Sequence, residues 1–306
     1  MLEPTATTAF DDPFEHRFVT VGGLRFHLAE TGPRDGRPVL LLHGFPELWW
    51  GWHRQLPLLA AAGYRVTAPD QRGYNLSDKP RGVRSYGLDA LAEDAVGFID
   101  ALGADKVCLA GHDWGAAVAW WTAIRFPERV EKMIALNVPH PVVMRRHLLE
   151  NRRQRRKSWY IFFFQLPWLP EWALKRNSWA WATKSLTAIA HPGTFSAADL
   201  QRYRQAWSRP RAIRSMLHWY RASLRRPPGR VPSLRVTVPT RLFWGMQDPA
   251  LGSEMVEPSL ALCDDGAAVR FERLTHWLLH EAPEDVGRAM VEFFSEEGVS
   301  DTPALR

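Results

Sequence analysis

The segment best suited to chemistry is Gly111-His112-Asp113-Trp114-Gly115, which follows an apolar run and precedes an alanine-rich helical pattern. Two glycines around a central residue, between a strand and a helix, are typical of a strained turn that exposes the central side chain. A glycine-bounded loop with a helix-capping aspartate is the plainer alternative. In the first interpretation Asp113 is a nucleophile, because an ionised carboxylate needs no base to attack an sp³ carbon.

Attack by Asp113 on carbon gives an alkyl ester, which water must then hydrolyse with the help of a base. His276 is the predicted base, in a loop after a predicted strand that ends near Leu274. Asp248 follows the predicted strand Thr240 to Trp244, where its carboxylate can orient His276 and stabilise the imidazolium. The chain order of nucleophile, acid and histidine is a known order for such triads.

His280 competes with His276 for the role of base, but we expect it to lie on or beside the next helix. The spacing of the two histidines also resembles a metal-binding pair. Trp277 stands where a zinc protease would have glutamate, and no third ligand is evident. We therefore predict no metal.

Ester hydrolysis passes through an oxyanion that needs backbone donors. The predicted donors are the amides of Phe45, in the segment His43-Gly44-Phe45-Pro46, and of Trp114, directly after the nucleophile. Pro46 has no amide to give. A simple turn at this segment is the alternative.

Short β-branched or aromatic runs alternate with helical patterns, which predicts an α/β protein with a largely parallel sheet. The opening hairpin pairs Phe18 to Val21 with Leu24 to Glu30 through Gly22-Gly23. The remaining predicted strands are Val39 to Leu42, Tyr64 to Ala68, Lys106 to Ala110, Lys132 to Leu136, Thr240 to Trp244 and Val269 to Leu274. Helical patterns cover Trp52 to Ala62, Leu88 to Leu102, Ala116 to Phe126 and Pro283 to Phe294.

The alternation stops after Asn137-Val138-Pro139, where a stretch rich in Arg, Trp and Leu begins. Few strand signals occur in it, which predicts a helical insertion. We therefore expect an eight-stranded, mostly parallel core domain over residues 14–139 and 229–296. A helical cap domain over residues 140–228 is inserted after the sixth strand.

Together these features resemble the epoxide hydrolases of the α/β-hydrolase fold, from about Phe14 to Phe294. The motifs that carry the resemblance are His43-Gly44-Phe45-Pro46, Asp70-Gln71-Arg72-Gly73-Tyr74 with Ser77-Asp78-Lys79-Pro80, the turn at Asp113, Asp248 and His276-Trp277. The resemblance implies opening of an epoxide to a vicinal diol through the Asp113 ester, with His276 and Asp248 activating water. The chain departs from the family at Asn75-Leu76, where relatives often have a shorter glycine-bearing link.

Members of this family usually place two cap tyrosines on the epoxide oxygen. Two segments of this chain resemble theirs, Ser158-Trp159-Tyr160 and His218-Trp219-Tyr220-Arg221. An opening epoxide develops alkoxide charge, which a phenol can meet with a proton at neutral pH. The resemblance therefore implies Tyr160 and Tyr220 as donors and acids, although a single tyrosine is more often a packed core residue.

Substrate contacts are expected from residues in or beside these motifs, namely His43, Pro46, Trp159, Trp219 and Trp277. The aromatic residues of the cap suggest an apolar tunnel above Asp113, and most of them are predicted to be cap core. They are Trp159, Phe162, Phe163, Phe164, Trp168, Trp172, Trp179, Trp181 and Trp219. The implied partners are a small apolar epoxide and water, without a cofactor.

The chain of 306 residues has a formal charge of +6, with basic residues concentrated at Arg145-Arg146 and at Arg152 to Lys157. No zinc-finger or RNP signature accompanies them, so we expect no nucleic acid partner. An arginine-rich stretch before an aromatic run can form an interfacial helix. Pro167 and Pro170 interrupt this run, so membrane attachment is kept only as an alternative to ordinary cap packing.

Cys108 and Cys263 are distant in sequence and show no CxxC spacing, which is compatible with a reducing compartment. Met1 to Phe14 carries acids and prolines and does not resemble a secretory signal. No apolar run approaches the roughly 18 residues that a spanning helix needs. We expect a cytoplasmic monomer or homodimer.

The nearest alternative function is haloalkane dehalogenation, which also uses an aspartate ester and a histidine. It needs N–H donors for halide, and Trp114 and Asn137 are candidates. The tyrosine pair favours the epoxide, since halide departure requires no proton. A fluoroacetate-type dehalogenase typically has Arg in place of Trp114, and a non-catalytic ligand-binding protein would leave the catalytic residues unused.

Overall fold

The computed structural model describes residues 12–296, so most of the segment weighed above as a secretory signal, residues 1–11, lies outside the described residues. The strands are β1 Glu15–Val21, β2 Leu24–Thr31, β3 Arg37–Leu42, β4 Tyr64–Pro69, β5 Val107–His112, β6 Val130–Leu136, β7 Thr240–Gly245 and β8 Gly266–Phe271. The α-helices are α1 Gln55–Ala61, α2 Leu88–Ala101, α3 Trp114–Arg125, α4 Pro141–Glu150, α5 Arg152–Lys157, α6 Trp159–Phe163, α7 Leu169–Thr187, α8 Ala197–Ser208, α9 Ala212–Arg225, α10 Val256–Leu260, α11 Leu278–Glu281 and α12 Pro283–Ser295.

The eight strands form one sheet in the order β1-β2-β4-β3-β5-β6-β7-β8. Pairing is antiparallel between β1 and β2 and between β2 and β4, and parallel between all other neighbours. The buried strands read as continuous apolar runs because both faces of the sheet are covered by helices. The predicted eight-stranded, mostly parallel sheet is therefore confirmed.

The parallel register brings the carboxyl ends of the central strands together. Leu42 of β3 pairs with Gly111 of β5, and His112 pairs with Leu136 of β6. Loops that follow these strands therefore meet at one edge of the sheet, the usual place for ligands in α/β folds.

The limits of one predicted strand were wrong. β8 covers Gly266–Phe271 and not Val269 to Leu274. This strand lies at the edge of the sheet and most of its residues are partly or fully exposed, so hydrophobicity marks its limits poorly. The chain turns after Phe271, and Gln247 N donates to Leu274 O at 2.9 Å, which carries the next loop toward β7.

Helices α4 to α9 lie between β6 and β7, where the insertion was predicted. Helix α7 is broken, since Arg176, Asn177, Ser178 and Trp179 have non-helical backbone angles. A capping box formed by Ser196 and Asp199 starts α8. Asp199 also accepts a hydrogen bond from Trp50 Nε1 at 2.8 Å, which fastens this part of the insertion to the core.

Candidate active site

Asp113 lies in a strained turn between β5 and α3. Its backbone angles are φ 49° and ψ −123°, a conformation that L-residues rarely adopt. The turn is closely packed, because a Cβ atom at Gly115 would lie 2.0 Å from the carbonyl oxygen of Leu42. These contacts hold the turn in place and direct the Asp113 carboxylate away from the sheet.

The loop after β3 lies directly against this carboxylate. Phe45 N donates to Asp113 Oδ1 at 2.7 Å. The approach requires a glycine at position 44, since a Cβ atom there would lie 2.3 Å from Cβ of Asp113. Trp114 N belongs to the first turn of α3, where amides have no partner within the helix. The two amides that were predicted as donors thus lie next to Asp113.

His276 faces the other carboxylate oxygen, with its Nε2 3.6 Å from Asp113 Oδ2. Its Nδ1 lies 2.7 Å from Asp248 Oδ2. The second oxygen of Asp248 accepts from Ala250 N at 2.7 Å and from Leu251 N at 2.9 Å. Burial would raise the pKa of Asp248, but the charge and hydrogen bond of His276 and these amides lower it.

Electrostatics keep His276 protonated in this arrangement. Burial alone would lower its pKa. The charge of Asp248, its hydrogen bond to His276 and the nearby charge of Asp113 outweigh burial and raise the pKa of His276 well above its ordinary value. The site therefore holds an imidazolium between two carboxylates.

Tyr160 and Tyr220 lie over the turn from the helical insertion. The Tyr220 ring packs edge-on against Phe45 and Trp114, with centroids 5.2 and 5.0 Å away, and lies 6.0 Å from the Tyr160 ring. Burial, followed by the negative charge of Asp113, raises the pKa of both tyrosines. Both phenols therefore keep their protons at neutral pH.

The sequence and the structure were compared with known proteins. The α/β-hydrolase fold family matches residues 37–283. A Bacillus subtilis relative, AB hydrolase superfamily protein YfhM, is 42% identical over 94% of this chain and 100% of its own length. Human epoxide hydrolase 4 is 36% identical over 92% of this chain and 79% of its own. The crystal structure of Bacillus megaterium epoxide hydrolase in complex with an inhibitor superposes with a TM-score of 0.84, at 32% identity, covering 92% of this chain and 100% of that one.

The chain belongs to the epoxide hydrolases of the α/β-hydrolase fold. In this epoxide hydrolase chain His280, the competing histidine, lies in α11 and is engaged elsewhere. Its Nε2 is 2.7 Å from Glu47 Oε1, which also accepts from the Tyr203 hydroxyl at 2.7 Å. Glu47 Oε2 lies 3.4 Å from His112 Nδ1. This buried cluster lies beside the turn at Asp113, and its hydrogen bonds hold His280 away from Asp113.

Three residues predicted to contact substrate, His43, Trp219 and Trp277, are buried around the site. His43 is fully buried, and its Nε2 accepts from Gln71 N at 3.1 Å. Trp219 Nε1 donates to Arg72 O at 3.0 Å. Trp277 packs against His276, with ring centroids 5.2 Å apart. The structure gives these three side chains a supporting place around the site.

The other two predicted substrate contacts, Pro46 and Trp159, differ in how far they are buried. Pro46 is buried and follows a cis peptide bond, and its carbonyl accepts from Trp207 Nε1 at 2.6 Å. The Trp159 side chain is 54% exposed and is not brought to the nucleophile. It precedes Tyr160 on a short helix, so a side chain that faces inward at 160 leaves its neighbour facing outward.

The sequence did not indicate the roles of Asn137 and Phe164. Asn137 Nδ2 donates to Asp248 Oδ2 at 2.8 Å. Its position after β6, at the same sheet edge as Asp113, is the sequence signal for this role, and the sequence alone predicted Asn137 only as a halide donor. The Phe164 ring lies 5.5 Å from Phe45 and 4.9 Å from Tyr220 and helps to enclose the site.

Within residues 12–296 no group of three or more His, Cys, Asp or Glu side chains is arranged to hold a metal ion. In the same part of the chain no helix is long and apolar enough to cross a membrane.

Proposed function

We propose that this protein hydrolyses small apolar epoxides to vicinal diols through an alkyl ester on Asp113. The observation that carries this proposal is the position of two protonated phenols, Tyr160 and Tyr220, over a carboxylate that also faces His276. The tyrosines supply a proton donor on one side of the Asp113 carboxylate, and His276 supplies one on the other. This arrangement suits an epoxide, because its leaving oxygen needs a proton and stays attached to the product.

In the first step Asp113 Oδ2 attacks one epoxide carbon while Oδ1 stays on the Phe45 amide. The carbon–oxygen bond of the strained ring breaks, and its electron pair takes a proton from Tyr160 or Tyr220. The apolar surround of Phe45 and Phe164 excludes water from the carboxylate and favours attack on carbon. The product of this step is a hydroxyalkyl ester of Asp113.

In the second step His276 accepts a proton from water, and the hydroxide adds to the carbonyl carbon of the Asp113 ester. The oxyanion lies where Oδ1 lay, on the amides of Phe45 and Trp114. Collapse breaks the bond between this carbon and the diol oxygen, which takes the proton back from His276. The second proton of the water stays on Asp113 as a carboxylic acid and is released to solvent, which restores the carboxylate. The tyrosinate left by the first step regains a proton from solvent.

The ester itself turns His276 into a base. The charge of Asp113 raises the pKa of His276, and alkylation removes that charge. The pKa of His276 must then fall while Asp248 still orients the ring. The base is thus released only when the ester that it must hydrolyse has formed.

A single turnover in ¹⁸O-labelled water, with enzyme in excess over an aryl glycidyl ether, tests the proposal. The first diol released should contain no label, and the peptide carrying Asp113 should gain one ¹⁸O by mass spectrometry. Asp113→Ala, shown folded by circular dichroism, should produce no diol. Label in the first diol would contradict the ester mechanism.

A location in a reducing cytoplasm is also proposed. It is supported by Cys108 and Cys263, which are buried free thiols.

A further inference from the structure

Charge is divided very unevenly along the chain. Residues 140–228, the cap, contain 18 Lys and Arg and three Asp and Glu, a formal charge of +15. The rest of the chain contains 21 Lys and Arg and 30 Asp and Glu, a formal charge of −9. The modest net charge of +6 therefore conceals a strongly cationic cap.

Little of this charge is neutralised inside the cap. Of its three acids, Glu171 pairs with Arg221 at 2.7 Å, and Asp199 accepts from Trp50 and Ser196. Only Glu150 is left to oppose the other basic side chains. A surface of this kind attracts polyanions and concentrates them near itself.

Large apolar side chains are exposed on the same cap. Of nine exposed large hydrophobic residues in the described part of the chain, eight lie within residues 140–228. Five fall in one stretch, residues 159–172, which we call the interfacial segment. They are Trp159 (54%), Phe162 (46%), Leu166 (43%), Trp168 (69%) and Trp172 (54%). Of the nine cap aromatic residues that were expected mostly in the cap core, Trp159, Phe162, Trp168 and Trp172 are therefore exposed, and the other five are buried or packed against the core.

A basic groove of about 710 Å³ adjoins the interfacial segment, and Trp168 lines both. Its charged lining consists of Arg81, Arg211, Arg214, Arg221 and Arg225 and of one carboxylate, Glu171, which pairs with Arg221 at 2.7 Å. His218 lines it as well, and its Nδ1 is buried without a hydrogen-bond partner among residues 12–296. Burial, then the nearby arginines, lower the pKa of His218 to about 4, so its ring adds no positive charge at neutral pH.

We propose that the cap docks on the surface of a membrane rich in anionic phospholipid. The interfacial segment enters the headgroup region, and the basic groove takes one headgroup phosphate. Trp side chains are favoured at this depth of a bilayer, and arginine binds phosphate through two parallel donors. The inference goes beyond the catalytic proposal and is independent of it, because docking needs no substrate.

A bilayer fits the surface better than nucleic acid does. Both would satisfy the arginines, and both could contact tryptophan. Phe162 and Leu166, however, carry no group that pairs with a base edge, whereas a bilayer interface buries them at a gain of free energy. The exposed set thus matches a partner that is anionic at its surface and apolar beneath.

Flotation of the full chain with vesicles tests the docking. Vesicles of phosphatidylcholine with phosphatidylglycerol should bind the protein, and vesicles of phosphatidylcholine alone should not. Arg214→Gln should weaken binding by about fivefold, the usual contribution of one basic residue at an anionic surface. Trp168→Ala with Trp172→Ala, and separately Phe162→Ala with Leu166→Ala, should each weaken it by about tenfold.

Matched controls are available outside the cap. Leu234→Ala removes the one exposed large hydrophobic side chain that residues 12–296 have outside the cap, and Arg34→Gln removes an exposed arginine of the core. Neither should change flotation, and every variant should melt as a folded protein. Equal loss in controls and cap variants would overturn the proposal.

Two further arms distinguish other anions. At constant ionic strength, added inorganic phosphate should not displace the protein from the vesicles. The proposal is overturned if phosphate alone saturates the groove in calorimetry while vesicles fail to bind. It is equally overturned if double-stranded DNA binds in an Arg214-dependent way and anionic vesicles do not.

Discussion

Asn137 donates to the same oxygen of Asp248 that meets His276. The distance from Asn137 Nδ2 to Asp248 Oδ2 is 2.8 Å, and that oxygen lies 2.7 Å from His276 Nδ1. The Asn137 side-chain oxygen accepts from Gly245 N at 2.7 Å. The amide is thus fixed at both ends, and it fixes the carboxylate that orients the base.

Asn137→Gly should slow ester hydrolysis more than ester formation, because Asp248 loses a donor and holds His276 less firmly. Glycine is the suitable replacement, since Asn137 has φ 53°. We expect hydrolysis to fall by about tenfold, equivalent to one hydrogen bond to a charged group. Rapid quench with intact-protein mass spectrometry measures both steps.

Asn75→Gly is the matched control for that variant. Asn75 also has positive φ, and its Nδ2 donates to buried Asp70 at 2.8 Å, away from His276. It should cost comparable stability without accumulation of ester. Accumulation in both variants would show a general loss of stability and not a positioning role for Asn137.

The Asn137 side-chain amide also affects the prediction for haloalkane dehalogenation. Because the Asn137 side chain is committed to Asp248 and Gly245, it is not free to help Trp114 to hold a halide ion. We predict that primary bromoalkanes release no bromide above the blank, while epoxides of matched chain length turn over. Halide release at a comparable rate would favour the dehalogenase function.

His276→Gln should permit alkylation and block hydrolysis, so the ester should accumulate and be visible by intact-protein mass spectrometry. Asp248→Asn should weaken the same step to a smaller extent. His280→Gln is the control, since this ring lies on Glu47 and not on Asp113. Normal turnover of His276→Gln, with trapped ester in His280→Gln, would reverse the assignment.

The pKa of His276 should fall when Asp113 loses its charge. Asp113→Asn imitates the neutral ester, and histidine-selective ¹³C labelling with NMR titration should show a lower pKa of His276 than in the wild type. An unchanged pKa would contradict the charge-controlled base.

The pH dependence of thermal stability tests the raised pKa of His276 independently, because the direction of the change can be predicted. The pKa of His276 is raised in the folded state, so its stabilising contribution is complete below about pH 6.5, the ordinary value for histidine. That contribution is lost as pH rises through the raised folded value. The difference in melting temperature between wild type and His276→Gln should therefore shrink at alkaline pH.

The sequence alone was sufficient to predict those parts of the fold and of the site in which the local residue pattern and the chemistry agree. The turn at Asp113, the strand before it and the helix after it are specified by glycine spacing and by apolar and alanine-rich runs, so their positions could be predicted. The side-chain partners of Asn137 depend on register between β6 and β7, which is a long-range property. The exposure of Trp159 and Trp168 was missed because hydrophobicity predicts burial, and only the packed structure shows which helix faces lack a partner.

The roles of Tyr160 and Tyr220 can be separated from packing by removing only their hydroxyls. Tyr→Phe keeps the ring contacts with Phe164, at 5.9 and 4.9 Å, and removes the proton donor. General acid catalysis typically contributes about 10² to 10⁴ in rate, and two donors on one oxygen partly replace each other. Each single variant should therefore slow alkylation, and the double variant should lose nearly all of it.

Tyr203→Phe is the control for this pair. Its hydroxyl is bound to Glu47 in the buried cluster behind the nucleophile turn. It should lower thermal stability without the same loss of alkylation rate.

Stopped-flow tryptophan fluorescence follows alkylation, because Trp114 packs against Tyr220 and senses the ester. Hydrolysis of a preformed ester should change little in the double variant, since that step uses His276 and the amides of Phe45 and Trp114. A folded double variant that alkylates at the wild-type rate would reduce both tyrosines to packing residues.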